Sequence, residues 1–334
     1  MSASQGLETS NVSIIVPIGG PAPSWEIAAR SLSQLDPPPG EIVAVIDGGD
    51  PSHATVANGI GARVVVLNER GGPARARNRG ADEATGDILL FVDSDVEVPA
   101  DLVSRVSALF AADPELAAVI GSYDDQPGDP SFLSQYRNLL HHFVHQNSRE
   151  LASTFWAGCG AIRSRVFDQL GGFDTSYGNP SIEDIELGAR LCREGHHIRM
   201  VKDLQVGHLK HWGLADMCRT DLLRRAVPWT EQMLRDGGLI DDLNVTARAR
   251  ASVVLACLVP LLCAAGWWWP PLFVGAGLAA ILTIALNADL LGFYLRRRGP
   301  LFALATVPMY WLYLVICGLG FGIGLVRHRA GPGR

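Results

Sequence analysis

The stretch DILLFVDSD, Asp87 to Asp95, runs five apolar residues into two aspartates separated by one serine. A short apolar run without alternation reads as a strand buried on both faces. Carboxylates are costly in an apolar interior, so at Asp93 the chain must leave the core or meet a compensating charge. Outward from this stretch, VSIIVP (Val12 to Pro17), EIVAVID (Glu41 to Asp47) and RVVVL (Arg63 to Leu67) are further β-forming runs, each closed by turn residues. Helix-length segments, Ser24 to Leu35, Ser52 to Ile60 and Pro73 to Ala84, lie between them. This alternating order predicts an α/β fold with a mostly parallel, doubly wound sheet. Ligands of such sheets lie beyond the carboxyl ends of the strands, so residues 17–20, 47–50, 68–72 and 93–95 become site candidates.

The chain has 334 residues, 48% hydrophobic and 19% charged, and its apolar excess is concentrated in one place. Between 251 and 326 there is almost no charge apart from Asp289 and Arg296 to Arg298. Three runs there, 251–269, 270–295 and 301–326, each approach the ~20 residues that cross a ~30 Å hydrocarbon core. Trp267 to Trp269, followed by Pro270 and Pro271, read as an interfacial turn. About three transmembrane segments are expected. If Arg296 to Arg298 lie on the cytoplasmic side, a third complete span would carry Arg327, Arg329 and Arg334 outside. Either the positive-inside rule is broken there, or the last segment, interrupted by Pro308 and several glycines, is re-entrant. Asp289 is expected to pair with a cation, with Arg296 within reach.

A net charge of −6 argues against a nucleic-acid partner. The six cysteines form no C-x-x-C pair, which disfavours a zinc site or a disulfide framework. The opening MSASQGLETS is polar and lacks the apolar core of a secretory signal. The first 250 residues are therefore expected in the cytoplasm, anchored to the inner membrane by a multi-pass tail.

Three clusters could carry chemistry. Asp93-Ser94-Asp95 at a strand end is either an acidic turn or a seat for Mg2+ or Mn2+, which accept carboxylate and phosphate oxygens together. NERGGPARARNRGADEATGD (Asn68 to Asp87) sets a glycine turn before a helix carrying Arg75, Arg77, Asn78 and Arg79. That helix start is either solvated or a contact for phosphate or carboxylate, with Arg75 and Asn78 the candidates for holding a nucleotide sugar. Glu183 and Asp184 open a helix, where the positive end of the dipole favours carboxylates.

Taken together, SIIVPIGG, VIDGGD, GGPARARNRGADEATGDILLFVDSD, GGFDTSYGNPSIEDIELGARLCREGHHI and GHLKH resemble the inverting glycosyltransferases of family 2, over Val12 to His211. The resemblance implies a GT-A nucleotide-sugar-binding fold. It assigns Pro17, Ile18 and Asp47 to the nucleotide base, with Ile46 standing where many members have a further aspartate. It assigns Asp95 to the metal, Asp93 to the metal, its water shell or the ribose, Ser94 to the nucleotide sugar, and His208 to the metal or diphosphate. Asp184 becomes the general base and Glu183 its support. His211 and Lys210 are weaker candidates near the same place.

The implied organisation is a polar tail (1–11), a GT-A catalytic domain (12–215), a juxtamembrane helical linker (216–250), the membrane region (251–326) and a basic tail (327–334). The implied partners are a nucleotide-diphosphate sugar and a membrane-associated acceptor such as a polyprenyl phosphate, a polyprenyl-linked saccharide or a glycolipid. RRAVPW (Arg224 to Trp229) lacks the Gln-x-x-Arg-Trp spacing of processive relatives, which favours single transfer over a polysaccharide synthase. A nucleotidyltransferase and a catalytically silent membrane scaffold are the other rival readings.

Overall fold

The computed structural model describes residues 11–48, 50, 52–238 and 242–331. Of the expected terminal tails, residues 1–10 and 332–334, including Arg334, lie outside the described residues, whereas Arg327 and Arg329 close the last helix.

The chain divides into two compact units. The first holds the described residues up to Asp129 together with Arg149–Lys210. Its first half alternates as expected: β1 (Val12–Ile18), α1 (Ala22–Leu32), β2 (Glu41–Ile46), α2 (Ser52–Gly59), β3 (Arg63–Val66), α3 (Gly72–Glu83) and β4 (Ile88–Val92). These four strands are parallel, in the spatial order β3-β2-β1-β4. The second half adds β5 (Val96–Glu97), α4 (Leu102–Ala112), β6 (Ala118–Tyr123), β7 (Leu151–Ala152), β8 (Cys159–Arg163), α6 (Ser164–Gln169), α7 (Glu183–Arg193) and β9 (Ile198–His208).

The sheet continues β4-β8-β6-β9-β5, and β8 runs antiparallel to both of its neighbours. It is therefore mixed, where the sequence predicts a mostly parallel sheet. The direction of β8 follows from its entry point. Cys159 pairs with Val92, and Asp93 N donates to Gly158 O at 3.3 Å, so β8 starts at the edge where β4 ends.

Both faces of the sheet are covered, which explains the unbroken apolar strands. Along β4, Ile88, Leu90 and Val92 enter the core shared with Trp25, Leu102 and Phe110. Leu89 and Phe91 enter the opposite core with Phe155, Phe167, Phe173 and Leu187, as the two-residue period of a strand requires. Helix α3 lies close on the sheet because position 80 is glycine; any side chain there would collide with Ile15 and Val45.

The second unit holds Pro130–Ser148 and the described residues from His211 onward. It contains α5 (Phe132–Asn147), α8 (Leu214–Arg219), a π-helical stretch at Thr220–Ala226, α9 (Val227–Arg235), α10 (Ala247–Gly266), α11 (Leu272–Leu286), α12 (Ala288–Arg298) and α13 (Pro300–Ala330). The division is thus discontinuous, whereas the sequence reading expects one domain over 12–215. The cause is the inner face of α5, where Tyr136, Leu139 and Leu140 pack with Trp212, Leu290, Phe293 and Tyr294. Arg137 on that face forms a buried ion pair with Asp221.

Helices α10 and α13 are long and apolar enough to cross a membrane. Helices α11 and α12 meet at a 60° bend and supply a third span only if counted together. Asn287 pins the bend: its Nδ2 donates to Ser252 Oγ at 2.9 Å and Thr283 O at 2.8 Å, and its Oδ1 accepts from Tyr310 Oη at 3.0 Å. Asp289 does pair with an arginine, but with Arg248 at 2.7 Å and not with Arg296.

Phe91 is fully buried, with ring centroids 5.1 to 6.2 Å from Phe173, Phe167 and Phe155. Phe91→Ala should therefore destabilise the first unit by about 3–5 kcal/mol. Denaturant titration of the protein in detergent checks this; a loss below about 1 kcal/mol would mean the aromatic cluster is not the core it looks to be.

Candidate active site

The ends of β1, β2 and β4 form one edge, and the loops leaving them are held by side chains from the neighbouring segments. After β2 the chain turns at Gly48, whose φ of 62° favours glycine. Asp47, at the end of β2, is buried and accepts from Gly71 N at 2.6 Å and Gly72 N at 2.8 Å. Its carboxylate therefore shapes the glycine turn that starts α3. Arg70 Nη2 donates to Gly19 O at 2.8 Å and ties the same turn to the end of β1. Pro17 and Ile18 are buried strand residues, and Ile18 O is already taken by Asp47 N at 2.9 Å. The open part of the β1 edge is Gly19-Gly20, where a Cβ on Gly20 would lie 3.8 Å from Ser94 Oγ.

Asp93, Ser94 and Asp95 emerge half-buried beyond β4. Asp93 Oδ1 accepts from Arg77 Nη2 at 2.7 Å. Desolvation, with Asp95 and Glu183 nearby, raises the Asp93 carboxyl against the pull of Arg77. Asp95 is shifted the other way: desolvation opposes ionisation, but His208 and Lys210 hold its carboxyl below the ordinary range. His208 arrives through pairing of Val96 with His208 across β5 and β9, supported by Leu209 N donating to Asp95 O at 2.9 Å. Its Nε2 lies 3.7 Å from Asp95 Oδ2, and its ring stacks on Tyr123 at 4.2 Å between centroids.

The base candidates come from α7. Gly188 lets this helix press on the backbone of Thr154 and Phe155, where any side chain would collide. Asp184 then accepts from Ala157 N at 3.3 Å and from Ile185 N at 2.8 Å. Desolvation and the adjacent Glu183 push the Asp184 carboxyl up to about 6, against Arg77. Glu183 is buried; one of its oxygens accepts from Arg77 Nη1 at 3.0 Å and the other from Ser181 N at 2.8 Å. The two members of the Glu-Asp pair are thus different: Glu183 is ion-paired, while Asp184 is held through backbone N–H groups.

Of the arginine-rich segment, Arg75 is exposed and Asn78 is spent on the fold. Asn78 Nδ2 donates to Phe173 O and its Oδ1 accepts from Phe173 N, both at 2.8 Å. Arg77, which the sequence does not single out from its neighbours, is buried between Asp93 and Glu183. Its sequence signal was its register: Ala74, Arg77 and Gly80 recur every three residues on the buried stripe of α3. A charge on such a stripe needs partners.

A divalent cation would find the Asp95 carboxylate and the His208 imidazole side by side. Two protein donors suit Mg2+ or Mn2+, which are commonly bound by one or two side chains with phosphate oxygens and water completing the shell. Among the described residues no group of three or more His, Cys, Asp or Glu side chains converges as an all-protein metal cage.

The family model described as Glycosyl transferase family 2 matches residues 13–171. This segment is a family 2 glycosyltransferase domain. Similar curated proteins include an N-acetylglucosaminyltransferase of Rhizobium meliloti, 24% identical over 80% of this chain and 67% of that protein. A glucosyl-dolichyl phosphate glucuronosyltransferase of Haloferax volcanii is 25% identical over 51% of this chain and 59% of its own length. A pre-mycofactocin glycosyltransferase of Mycobacterium tuberculosis is 27% identical over 59% and 42% respectively. The chain thus spans from two fifths to two thirds of the length of these relatives.

In fold, the glycosyltransferase domain and its C-terminal helices are similar to the mannosyltransferase PcManGT from Pyrobaculum calidifontis, solved in complex with GDP-Man and Mn2+. The TM-score is 0.58 at 18% identity, over 98% of this chain and 89% of that one. The match supports the expected GT-A fold.

Since Asn78 clamps Phe173, Asn78→Ala should cost about 1–3 kcal/mol of stability while leaving nucleoside diphosphate affinity within about threefold of wild type. Thermal denaturation and calorimetric titration with UDP or GDP measure the two effects. Weakened nucleotide binding at unchanged stability would instead put Asn78 in contact with the donor.

Proposed function

We propose that the chain is a membrane-anchored inverting glycosyltransferase that moves one sugar from a nucleotide-diphosphate sugar to a hydroxyl of a membrane-associated acceptor. The observation that carries this reading is the meeting of Asp93-Ser94-Asp95, His208 and the Glu183-Asp184 helix start around one strand edge, with unlike roles open to the two carboxylates of α7. Glu183 is neutralised by Arg77, whereas Asp184 is desolvated and held near pH 6, which suits a proton acceptor.

Asp95 and His208 would hold Mg2+ or Mn2+, which when bound neutralises the diphosphate and eases its departure. Gly19, Gly20 and Ser94 line the edge where the nucleotide would lie. The acceptor hydroxyl oxygen attacks the anomeric carbon on the face opposite the diphosphate. The carbon–oxygen bond to the diphosphate breaks, its electron pair leaves with the nucleoside diphosphate, and the hydroxyl proton passes to Asp184. One displacement suffices, so no side-chain nucleophile is needed.

The acceptor class is inferred from α10 and α13, which could hold the enzyme at a bilayer. It is also inferred from the Haloferax relative, whose name describes transfer to a glucosyl-dolichyl phosphate. Donor and metal follow by likeness from the Pyrobaculum mannosyltransferase, solved with GDP-Man and Mn2+. The proposed place is the inner membrane, with the glycosyltransferase domain on the cytoplasmic side.

A panel of UDP- and GDP-sugars with Mn2+ and a membrane lipid extract, read by nucleoside diphosphate release and product mass, tests the reading. Asp184→Asn should slow turnover by about 10²–10⁴-fold while leaving donor affinity near wild type. Asp95→Ala should abolish Mn2+-dependent nucleoside diphosphate binding. Turnover by Asp184→Asn at the wild-type rate would sink the mechanism.

The base must be ionised to accept a proton. The wild-type rate should therefore rise about tenfold per pH unit below about pH 6 and level off above it. A rate that is flat from pH 4.5 to 8 would remove Asp184 from that role.

A further inference from the structure

We infer that Arg77 is a positioning residue for this reaction: through one guanidinium it locks the donor-side carboxylate Asp93 and the base-bearing start of α7 into a single register. The inference rests on the glycosyltransferase reading for its chemistry but not for its geometry.

Arg77 and its two partners belong to three separate segments. Nη2 donates to Asp93 Oδ1 at 2.7 Å, and Nη1 donates to Glu183 Oε1 at 3.0 Å, 106 residues further along the chain than Arg77. Its side chain is 6% exposed, and its guanidinium lies 5.4 Å from the centre of the Phe173 ring. The neighbouring Asn78 fixes the backbone of that same Phe173 through two hydrogen bonds. Two adjacent residues of α3 therefore hold the segment that leads into α7 from two directions. Glu183 passes the constraint on, because its second oxygen holds Ser181 N just ahead of the helix.

The consequence concerns Asp184. It follows Glu183 directly, so the direction in which its carboxylate points depends on where Glu183 is tied. Asp93, tied to the same fork, lies two residues before Asp95. Loss of the Arg77 tie would free the donor side and the base side to move independently, and misplacement of about 1 Å can cost roughly 10²-fold in rate. A planar fork can hold two carboxylates in fixed directions; an ammonium can keep the charge but cannot reproduce the geometry. No role in touching the substrate is assigned to Arg77.

The test compares Arg77→Lys, which keeps the charge, with Glu183→Gln, the double variant, and Arg79→Lys as a control. Arg79 sits on the same helix but pairs outward with Glu83. Amide hydrogen exchange of the intact protein in detergent should show Arg77→Lys loosening residues 154–158 and 176–186 at least tenfold. Protection across β1 to β3 should remain as in wild type and in Arg79→Lys.

With the donor that the wild type consumes, Arg77→Lys should lose about 100-fold in kcat, with KM within about threefold. The double variant should be no slower than Arg77→Lys alone, since both changes break the same tie. Unchanged exchange at 154–158 and 176–186, exchange raised uniformly through the sheet, or losses that multiply in the double variant would each overturn the inference. Should the wild type consume no donor at all, the glycosyltransferase reading fails, and the exchange pattern alone still decides whether Arg77 ties the two segments.

Discussion

A guanidinium sealed inside a protein must be met by carboxylates, because leaving it unpaired would cost several kcal/mol. Arg77 is such a group, and its partners come from the end of β4 and the start of α7. Much of the surrounding architecture can be read as what that meeting requires. Gly80 lets α3 lie flat enough on the sheet to bring Arg77 inward, and Gly188 lets α7 come down on the 154–155 backbone. Phe173 supplies a ring beside the guanidinium and belongs to the aromatic core that also contains Phe91, three residues before Ser94. Core packing and site geometry are thus joined through a few shared residues.

This arrangement also sorts the acidic residues by role. Asp47 is committed to the glycine turn, Glu183 and Asp93 to Arg77, and Asp95 to the neighbourhood of His208 and Lys210. Asp184 remains with backbone N–H partners and a raised proton affinity. Five carboxylates close to one strand edge would otherwise repel one another, and their partners separate them into structural and chemical groups.

The parallel strands β1 to β4 and the Asp-Ser-Asp at the end of β4 were legible because each strand is apolar on both faces and each ends in turn residues. The reversal of β8 was not, since strand direction depends on where the chain re-enters the sheet. Nor was the grouping of α5 with the C-terminal helices, for an amphipathic pattern such as FLSQYRNLLHHFVHQ shows that one face is buried but not against what. The different settings of Asn78 and Arg77 were hidden for a related reason: side chains one residue apart on α3 face different neighbours, and only the buried-stripe register distinguishes them. Asp289 did find an arginine, but in α10 at Arg248, a contact between elements 41 residues apart that local spacing could not supply.

The central claim is that a single carboxylate, Asp184, serves one direct displacement at the anomeric carbon, with no covalent sugar–enzyme stage. The most direct measurement is the anomeric configuration of the first product, read from its one-bond C1–H1 coupling by NMR after turnover with a ¹³C-labelled α-linked nucleotide sugar. The account predicts a β-linked product from an α-linked donor; an α-linked product would contradict it.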